Sequence, residues 1–355
     1  MVVVYSLVSM IKTLSLKNFR SFTKASFDFS DKVNIINAPN ASGKTNILES
    51  IFLLSTGKSF KAKVEEEMIN YDEEIARVDG QTDDTKLEVV LTRGFIDIGK
   101  NTPEKVAKKK LMVNGISRRM IDFSSNLKVT LFLPEDLDLV TSSPSIRRKF
   151  LDTVLSQTDR DYRRALMAYE KGVRQRNKIL QKIRDEGLSR SPLQFWDQLL
   201  IKNGNYLTDK REEFVEYINS FKSEISNNYS VEYDRSVISE ARLEQYKNEE
   251  VAACTTLVGP HRDDFIFKEA EKNLSSYGSR GEQRMAVLWI KLAELSFTEE
   301  KTSQKPTLLL DDIFSELDHM HRKVVMETIN NHQVIITSAD EHNLLDFDKF
   351  NLIKL

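Results

Sequence analysis

The chain contains 355 residues, more than the ~100–200 of a single domain, so its length predicts two lobes or one large domain with an insertion. Hydrophobic residues make up 40% and charged residues 30%, which supports a sizeable core and argues against disorder. The net charge of −2 excludes a polycation, and the single cysteine, Cys254, excludes a disulfide framework and a cysteine-based zinc site.

The residue pattern of the chain leads us to expect no secretory signal and no transmembrane helix. The sequence has no run of 18 apolar residues, and residues 1–11 lack the charged start and small-residue cleavage site of a secretory signal. Met10 opens a better strand pattern than Met1, so residues 1–9 are interpreted as an N-terminal extension. The expected compartment is the cytoplasm.

The first third of the chain shows mostly strand patterns. Alternating apolar residues predict two or three short strands over residues 11–36, followed by a helix over residues 46–55. Alternation with turn signals such as Asn114-Gly115 predicts more strands over residues 75–120.

From Pro144 to about Asn228 the pattern becomes helical. Apolar residues recur at helical spacings in two stretches, which Gly187 and Pro192 separate. Each stretch predicts a helix of roughly 25–30 residues, so the pair should form a hairpin or arm about 40 Å long.

Strand patterns then return near residues 255–267, 307–311 and 333–337, with a helix predicted over about 282–298. The order of elements predicts an α/β fold in which a helical lobe is inserted into a nucleotide-binding lobe.

The expected boundaries follow from this order. The nucleotide-binding lobe comprises residues 10–140 together with 250–355, and the helical lobe or arm comprises residues 141–249.

The strongest motif lies between an apolar strand and the helix that begins at Asn46. Its residues are Ala38, Pro39, Asn40, Ala41, Ser42, Gly43, Lys44 and Thr45. In a P-loop, backbone N–H groups wrap the phosphates of ATP, a lysine neutralises the β and γ oxygens, and a hydroxyl ligates Mg²⁺. Lys44 and Thr45 fit these roles. Ala38 and Ala41 depart from the usual glycine-rich pattern, so the loop must avoid positive φ there or be strained. An ordinary strand–turn–helix is the alternative.

A second motif is the apolar strand that ends in Asp311 and Asp312. Asp311 is predicted to hold Mg²⁺ through its water shell, and Asp312 to be the general base for the attacking water. A buried strand ending in two acids is also a common structural feature. Its pairing with the P-loop favours the catalytic interpretation.

The third motif is the polar segment at residues 276–284, which leads into a helix. Gly278 and Gly281 free the backbone, and Ser279 with the helix N-terminus could present donors to an anion. An ordinary capped helix is the alternative.

These motifs, in this order, resemble those of ABC-type ATPase heads, and further strings of residues resemble the RecF family of bacterial recombination-repair proteins. The strings include Leu16-Lys17-Asn18-Phe19-Arg20-Ser21-Phe22, Pro134-Glu135-Asp136-Leu137, Gly259-Pro260-His261-Arg262-Asp263-Asp264 and Leu310-Asp311-Asp312. The resemblance covers residues 10 to about 340. It departs at Ala38, Ala41, Arg280 and Glu282, where the family usually shows glycines and glutamines.

The resemblance implies an ABC-type P-loop ATPase head with a mixed β-sheet lobe and an inserted helical second lobe. It implies a protein of recombinational repair and replication-fork recovery that binds ATP and Mg²⁺, forms a homodimer on ATP and hydrolyses ATP slowly. Ser279 and Gly281 of one subunit would cap the nucleotide of the other, and Arg20 would lie near the phosphates. The implied partners are gapped or junction DNA, where recombinase is loaded, and the mediators RecO and RecR.

The helical segment itself offers a candidate DNA surface. Residues 144–185 hold 12 Arg and Lys against 5 Asp and Glu, and we select Arg163, Arg164 and Arg174 as candidate contacts. A solvated helix face is the alternative. Without a helix-turn-helix or zinc signature, sequence-specific base readout is not expected.

Other ATPase classes fit less well. An SMC-type head would carry hundreds of heptad residues between Thr45 and Ser279, where this chain has a short arm. A transporter subunit would show a Leu-Ser-Gly-Gly-Gln signature and a switch histidine, where this chain has Gly-Ser-Arg-Gly-Glu and Ser338. A homologue that has lost hydrolysis stays open because of Ala38 and Glu282.

Overall fold

A computed structural model describes residues 10–96, 104–223, 225, 228–315, 322, 325–327, 331–339 and 349–355. The expected extension, residues 1–9, lies outside the described residues. The chain divides into two compact units. Unit 1 comprises Met1–Glu135 and Thr298–Leu355, and unit 2 comprises Asp136–Phe297.

The strands of the described residues are β1 (Ile11–Phe19), β2 (Phe22–Asp28), β3 (Val33–Asn37), β4 (Ile75–Thr82), β5 (Lys86–Thr92), β6 (Phe95–Ile96), β7 (Glu104–Lys105), β8 (Lys109–Val113), β9 (Ile116–Ser117), β10 (Val129–Phe132), β11 (Tyr229–Asp234), β12 (Asp264–Glu269), β13 (Lys272–Asn273), β14 (Thr307–Asp311), β15 (Val334–Ser338) and β16 (Asn351–Lys354). The α-helices are α1 (Lys44–Thr56), α2 (Met120–Phe123), α3 (Asp138–Thr141), α4 (Pro144–Thr158), α5 (Arg160–Glu186), α6 (Leu193–Ser220), α7 (Glu240–Gln245), α8 (Lys247–Ala253), α9 (Leu274–Tyr277) and α10 (Arg280–Thr302). Short 3₁₀ helices cover Glu65–Met68, Pro134–Leu137, Pro260–Arg262 and Ile313–Ser315.

Two large sheets and the helix between them form most of unit 1, and β6 and β7 form a separate two-stranded sheet. An antiparallel sheet has the order β2-β1-β4-β5-β8-β9, and a parallel sheet has the order β10-β14-β15-β3-β16. Helix α1 contacts strands of both sheets, and its apolar residues belong to one buried cluster with theirs. The mixed α/β lobe expected from the sequence is therefore confirmed.

Unit 2 contains the long helical hairpin. Helix α5 has 27 residues and α6 has 28, in agreement with the predicted lengths. The helices pack closely at Gly172, where an added Cβ would lie 2.8 Å from Leu199 and 2.9 Å from Leu200. No helix of the described residues is both long and apolar enough to cross a membrane.

The boundaries of unit 2 differ from the expected 141 and 249. Strand β12 pairs with β11 along its whole length. On α10, Trp289 packs against Tyr229, and Phe297 packs against Phe214 and Tyr217. These aromatic contacts place residues 250–297 with the helices, so Ser279 and Gly281 lie in unit 2 rather than in the nucleotide-binding lobe.

A buried charge network holds unit 2 together. Arg211 is 2% exposed and donates to the carboxylates of Asp152 and Asp263, each at 2.8 Å, and to the carbonyl of Pro260 at 2.6 Å. Burial alone would lower the pKa of Arg211, but the two carboxylates raise it well above its ordinary value. Asp263 also accepts from Tyr233 and from the backbone of Ser236.

This network explains most of the string at residues 259–264. Arg147 donates to both oxygens of Asp264, at 2.6 and 3.0 Å. His261 bonds Tyr169 and the carbonyl of Thr256, and burial lowers the pKa of His261 to about 4. The residues that carry this part of the resemblance therefore have a structural role within unit 2.

We predict that Arg211→Ala lowers the free energy of unfolding by about 3–5 kcal/mol, because it leaves the buried Asp263 carboxylate without its cation. Denaturant unfolding of the full chain measures this. The matched control is Arg235→Ala, which breaks the exposed pair with Glu212 and should cost at most about 1 kcal/mol. Equal effects of the two variants would contradict a stabilising role for the network.

Candidate nucleotide-binding site

The register of the parallel sheet brings two of the predicted motifs together. Asp311 at the end of β14 lies opposite Thr337 on β15, and Thr337 lies opposite Ile36 on β3. All three strands are parallel, so their carboxyl ends share one edge of the sheet, the edge at which such sheets bind ligands. The P-loop segment begins at this edge, at Ala38.

The loop folds around the side chain of Lys44. Its Nζ donates to the carbonyls of Ala38 at 2.6 Å and Pro39 at 3.0 Å, and the side chain is buried. Gly43 has φ 102°, and an added Cβ there would lie 2.9 Å from the ring of Phe22. Glycine is therefore required at residue 43.

Ala41 has φ 65°, in the left-handed region. The sequence predicted that Ala38 and Ala41 either avoid positive φ or are strained, and the strain falls on Ala41.

Asp311 links the P-loop to the next strand. Thr45 Oγ1 donates to Asp311 Oδ2 at 2.8 Å, and Thr337 Oγ1 donates to Asp311 Oδ1 at 2.6 Å. Asp312 has φ 50°, and its N–H donates to Thr337 Oγ1 at 3.0 Å. The predicted pair Thr45 and Asp311 is thus in direct contact, and Asp312 lies immediately beyond it.

The site also contains buried polar atoms that no hydrogen bond satisfies. Among the described residues, Ser42 Oγ and Asn37 Nδ2 are buried and have no hydrogen-bond partner. Buried polar groups are normally paired, so unpaired ones in a P-loop fit a site that receives a polar ligand. The carboxylate and hydroxyl at Asp311 and Thr45 are the hard oxygen donors that Mg²⁺ prefers.

Arg20 lies in the turn between β1 and β2 and is tied to helix α1. Its guanidinium donates to the Glu49 carboxylate at 2.8 and 2.6 Å and to the Glu67 carbonyl at 2.5 Å. Glu49 is fully buried. No role was predicted for Glu49 from the sequence, although a glutamate on the apolar face of a helix is a signal for a buried partner.

A cavity of about 580 Å³ opens beside this turn. Its lining includes Arg20, Ser21, Asn46, Tyr71 and Arg93. Asn46 follows the P-loop threonine and donates to Ser21 at 3.0 Å, so the cavity adjoins the first turn of α1. Tyr71 is 92% exposed at its rim.

Ser279 caps helix α10 in unit 2. The Ser279 N–H donates to the Glu282 carboxylate at 2.6 Å, and the Glu282 N–H donates to Ser279 Oγ at 3.3 Å. This reciprocal capping box lowers the pKa of Glu282. Gly281, one residue before Glu282, has no side chain that could cover this terminus. The glutamate, which replaces the glutamine usual in the resembled family, places a carboxylate at the same position.

The structure corrects one candidate DNA contact. Arg163 is only 7% exposed, donates to the Ser156 carbonyl, and has its pKa lowered to about 10 by burial. It faces the interior because the adjacent residues Tyr162 and Leu166 set the buried side of α5. Arg163 is therefore wrong as a surface contact.

Arg164 and Arg174 do lie on the exposed face of α5. Four further exposed cations recur on that face at spacings of three, four or seven residues, which places them on one side of the helix. We call this set the α5 stripe: Arg160, Arg164, Lys171, Arg174, Lys178 and Lys182. The first and last members are 22 residues apart, or about 33 Å along the helix.

Comparison with known proteins identifies relatives along the whole chain. The family model described as the RecF/RecN/SMC N terminal domain matches residues 10–354. The chain is 34% identical over 359 residues to the DNA replication and repair protein RecF of Agathobacter rectalis, covering 97% of both chains. It is 35% identical over 360 residues to the RecF protein of Herpetosiphon aurantiacus, covering 93% of both.

Solved structures show the same similarity. A structure of the recombination mediator protein RecF-ATPrS in the RecFOR pathway superposes with a TM-score of 0.86 at 30% identity, covering 98% of this chain and 96% of that one. The Smc head domain of Pyrococcus furiosus superposes with a TM-score of 0.52 at 17% identity, covering 97% of this chain and 93% of that one, and shows only the shared fold.

Proposed function

This chain belongs to the RecF family, and from that premise we propose that it is a DNA replication and repair protein that binds ATP with Mg²⁺, dimerises on ATP and binds DNA without sequence preference. The observation that carries the proposal is the contact between Thr45 on the P-loop and Asp311 on β14. A cytoplasmic location and the mediators RecO and RecR are part of the same proposal.

The residues of unit 1 fit the triphosphate. Lys44 would exchange its bonds to two loop carbonyls for phosphate oxygens, and the N–H groups at the start of α1 would face the same anion. Thr45 and Asp311 would hold Mg²⁺, which when bound offsets the negative charge of the phosphates. The cavity beside Arg20 and Asn46 lies within the ~300–1,000 Å³ of small-molecule sites and could accept the nucleoside.

Hydrolysis is proposed to be slow. Asp312 would accept the proton of the attacking water, and its backbone is already fixed by Thr337. Ser338, which is buried, cannot relay charge as the histidine of transporter-type ATPases does. The proposed enzyme activity is therefore a weak ATPase that DNA stimulates.

We expect Lys44→Ala to abolish ATP binding, because the phosphates lose their main counter-ion. Titration with a fluorescent ATP analogue measures this, and Lys58→Ala, which removes an exposed lysine just after α1, is the matched control. Unchanged affinity in Lys44→Ala would show that the P-loop does not hold the nucleotide.

Dimerisation would use Ser279. The γ-phosphate held by one chain would be capped by Ser279 and the N-terminus of α10 from the other, across a two-fold axis. ADP, which lacks that phosphate, should not support the dimer. Glu282 already accepts the Ser279 N–H, so the Ser279 hydroxyl is the donor of this residue that could reach the phosphate without breaking that bond.

We predict that Ser279→Arg binds ATP nearly normally but stays monomeric, because the larger side chain fills the capping position. Light scattering at saturating ATP, in an Asp312→Asn background that blocks hydrolysis, reports the dimer. Asn205→Arg adds the same charge at an exposed position of α6 and should dimerise like the parent. A Ser279→Arg protein that dimerises equally well would remove Ser279 from the interface.

DNA would bind through phosphates on the α5 stripe, which supports sequence-independent contact. Replacing Arg164, Arg174 and Lys178 with glutamine should weaken duplex binding and reduce the slope of log K against log salt by up to about 3, near 0.9 per lost contact. The control replaces Lys202, Lys222 and Lys272, which are exposed in the same unit. A slope that stays at the wild-type value would exclude the stripe as the DNA surface.

A further inference from the structure

The antiparallel sheet of unit 1 carries cations in one register row. Lys24 on β2 lies opposite Lys17 on β1, and Lys17 lies opposite Arg77 on β4. Arg77 lies opposite Val90 on β5, and Val90 lies opposite Lys110 on β8. Residues directly opposite each other share a face of the sheet, so Lys24, Lys17, Arg77 and Lys110 form a line across five strands. We call these four residues the cation row.

The cation row lies on the solvent side of the sheet. All four side chains are exposed, whereas the neighbours Leu16 and Val78 point to the opposite face and are fully buried. Strands are about 4.8 Å apart, so the row is about 19 Å long.

The cation row lowers the stability of the sheet, and contacts within the fold do not account for its presence. Like charges directly opposite each other destabilise a sheet, and Lys17 has a cation on both sides. Arg77 pairs with Glu88 at 3.1 Å, but within the part of the chain that the structure describes no ion pair involves Lys17, Lys24 or Lys110. A sheet face that served stability alone would place acids opposite these lysines.

Two acids of this face lie in the next row, and a third, Asp28 on β2, lies one row beyond. Asp79 and Glu88 lie opposite each other, and each is within 4 Å of a cation, Lys86 at 3.7 Å and Arg77 at 3.1 Å. Asp79 and Glu88 are thus matched locally, and among the described residues the three lysines of the cation row remain without a paired carboxylate. A linear excess of positive charge on a flat surface fits a linear polyanion.

We propose that the cation row is a second DNA-contact surface, on unit 1, which binds the phosphate backbone of a duplex. This inference rests on the proposed function, because it takes DNA as the polyanion. A duplex carries one charge per ~1.7 Å of its axis, so a row about 19 Å long faces a dense array of phosphates. Lysines on a sheet face contact phosphates rather than base edges, so the surface adds affinity without sequence preference.

The test replaces Lys17, Lys24 and Lys110 with glutamine and keeps Arg77, so the pair with Glu88 stays intact. We expect two opposite effects. The unfolding midpoint should stay the same or rise, because like-charge repulsion is removed. Duplex affinity should fall, and the slope of log K against log salt should decrease by up to about 3.

The matched control replaces Lys58, Lys61 and Lys63, which are exposed in the same unit, and changes the net charge equally. A loss of affinity in the row variant alone supports the proposal. If both variants lose the same amount of duplex affinity, the loss comes from the change in net charge, and the proposal is overturned. A lower unfolding midpoint in the row variant would show that the lysines serve the fold, and would also overturn it.

Two further outcomes separate this inference from the proposed function. If wild-type protein binds no DNA, the proposed function fails. If the α5 stripe variant loses DNA while the row variant binds DNA as wild type does, only the cation row is overturned. Binding of poly-glutamate to wild type but not to the row variant, with unchanged DNA affinity, would assign the row to an acidic protein partner instead.

Discussion

The nucleotide site depends on one carboxylate, Asp311. Its two oxygens accept from Thr45 on the P-loop and from Thr337 on β15, so three segments that are far apart in the sequence meet at one side chain. The parallel register of β14, β15 and β3 makes this possible. Lys44, Thr45 and Asp311, which would receive phosphate and Mg²⁺, make internal hydrogen bonds that the ligand would replace.

The buried ion pairs of the two units have different structural roles. In unit 2, Arg211 and Asp263 are buried, Asp152 is partly buried, and their ion pairs join α4, α6 and the residues before β12. In unit 1, the Arg20–Glu49 pair fixes the β1–β2 turn against α1 at the edge of a cavity. The exposed cations of the α5 stripe and of the cation row lie where a polyanion can reach them.

Local patterns in the sequence were sufficient for the P-loop, the carboxylates after β14 and the helical hairpin, because each depends on residues close together in the chain. Local patterns did not predict the features that depend on tertiary packing. Arg163 looks like its neighbour Arg164, but only the packing of α5 shows that one is buried and the other exposed. Because α10 packs against the helices, unit 2 extends to Phe297 and not to the predicted residue 249. The cation row depends on the register between strands, which no local sequence pattern encodes.

The central claim is that Thr45 and Asp311 form one Mg²⁺-ATP site. Calorimetric titration of ATP with and without Mg²⁺, in wild type and Asp311→Asn, tests it most directly. We expect Mg²⁺ to tighten ATP binding in wild type and to have little effect in Asp311→Asn, because the amide removes the negative oxygen. An equal gain from Mg²⁺ in both proteins would contradict the claim.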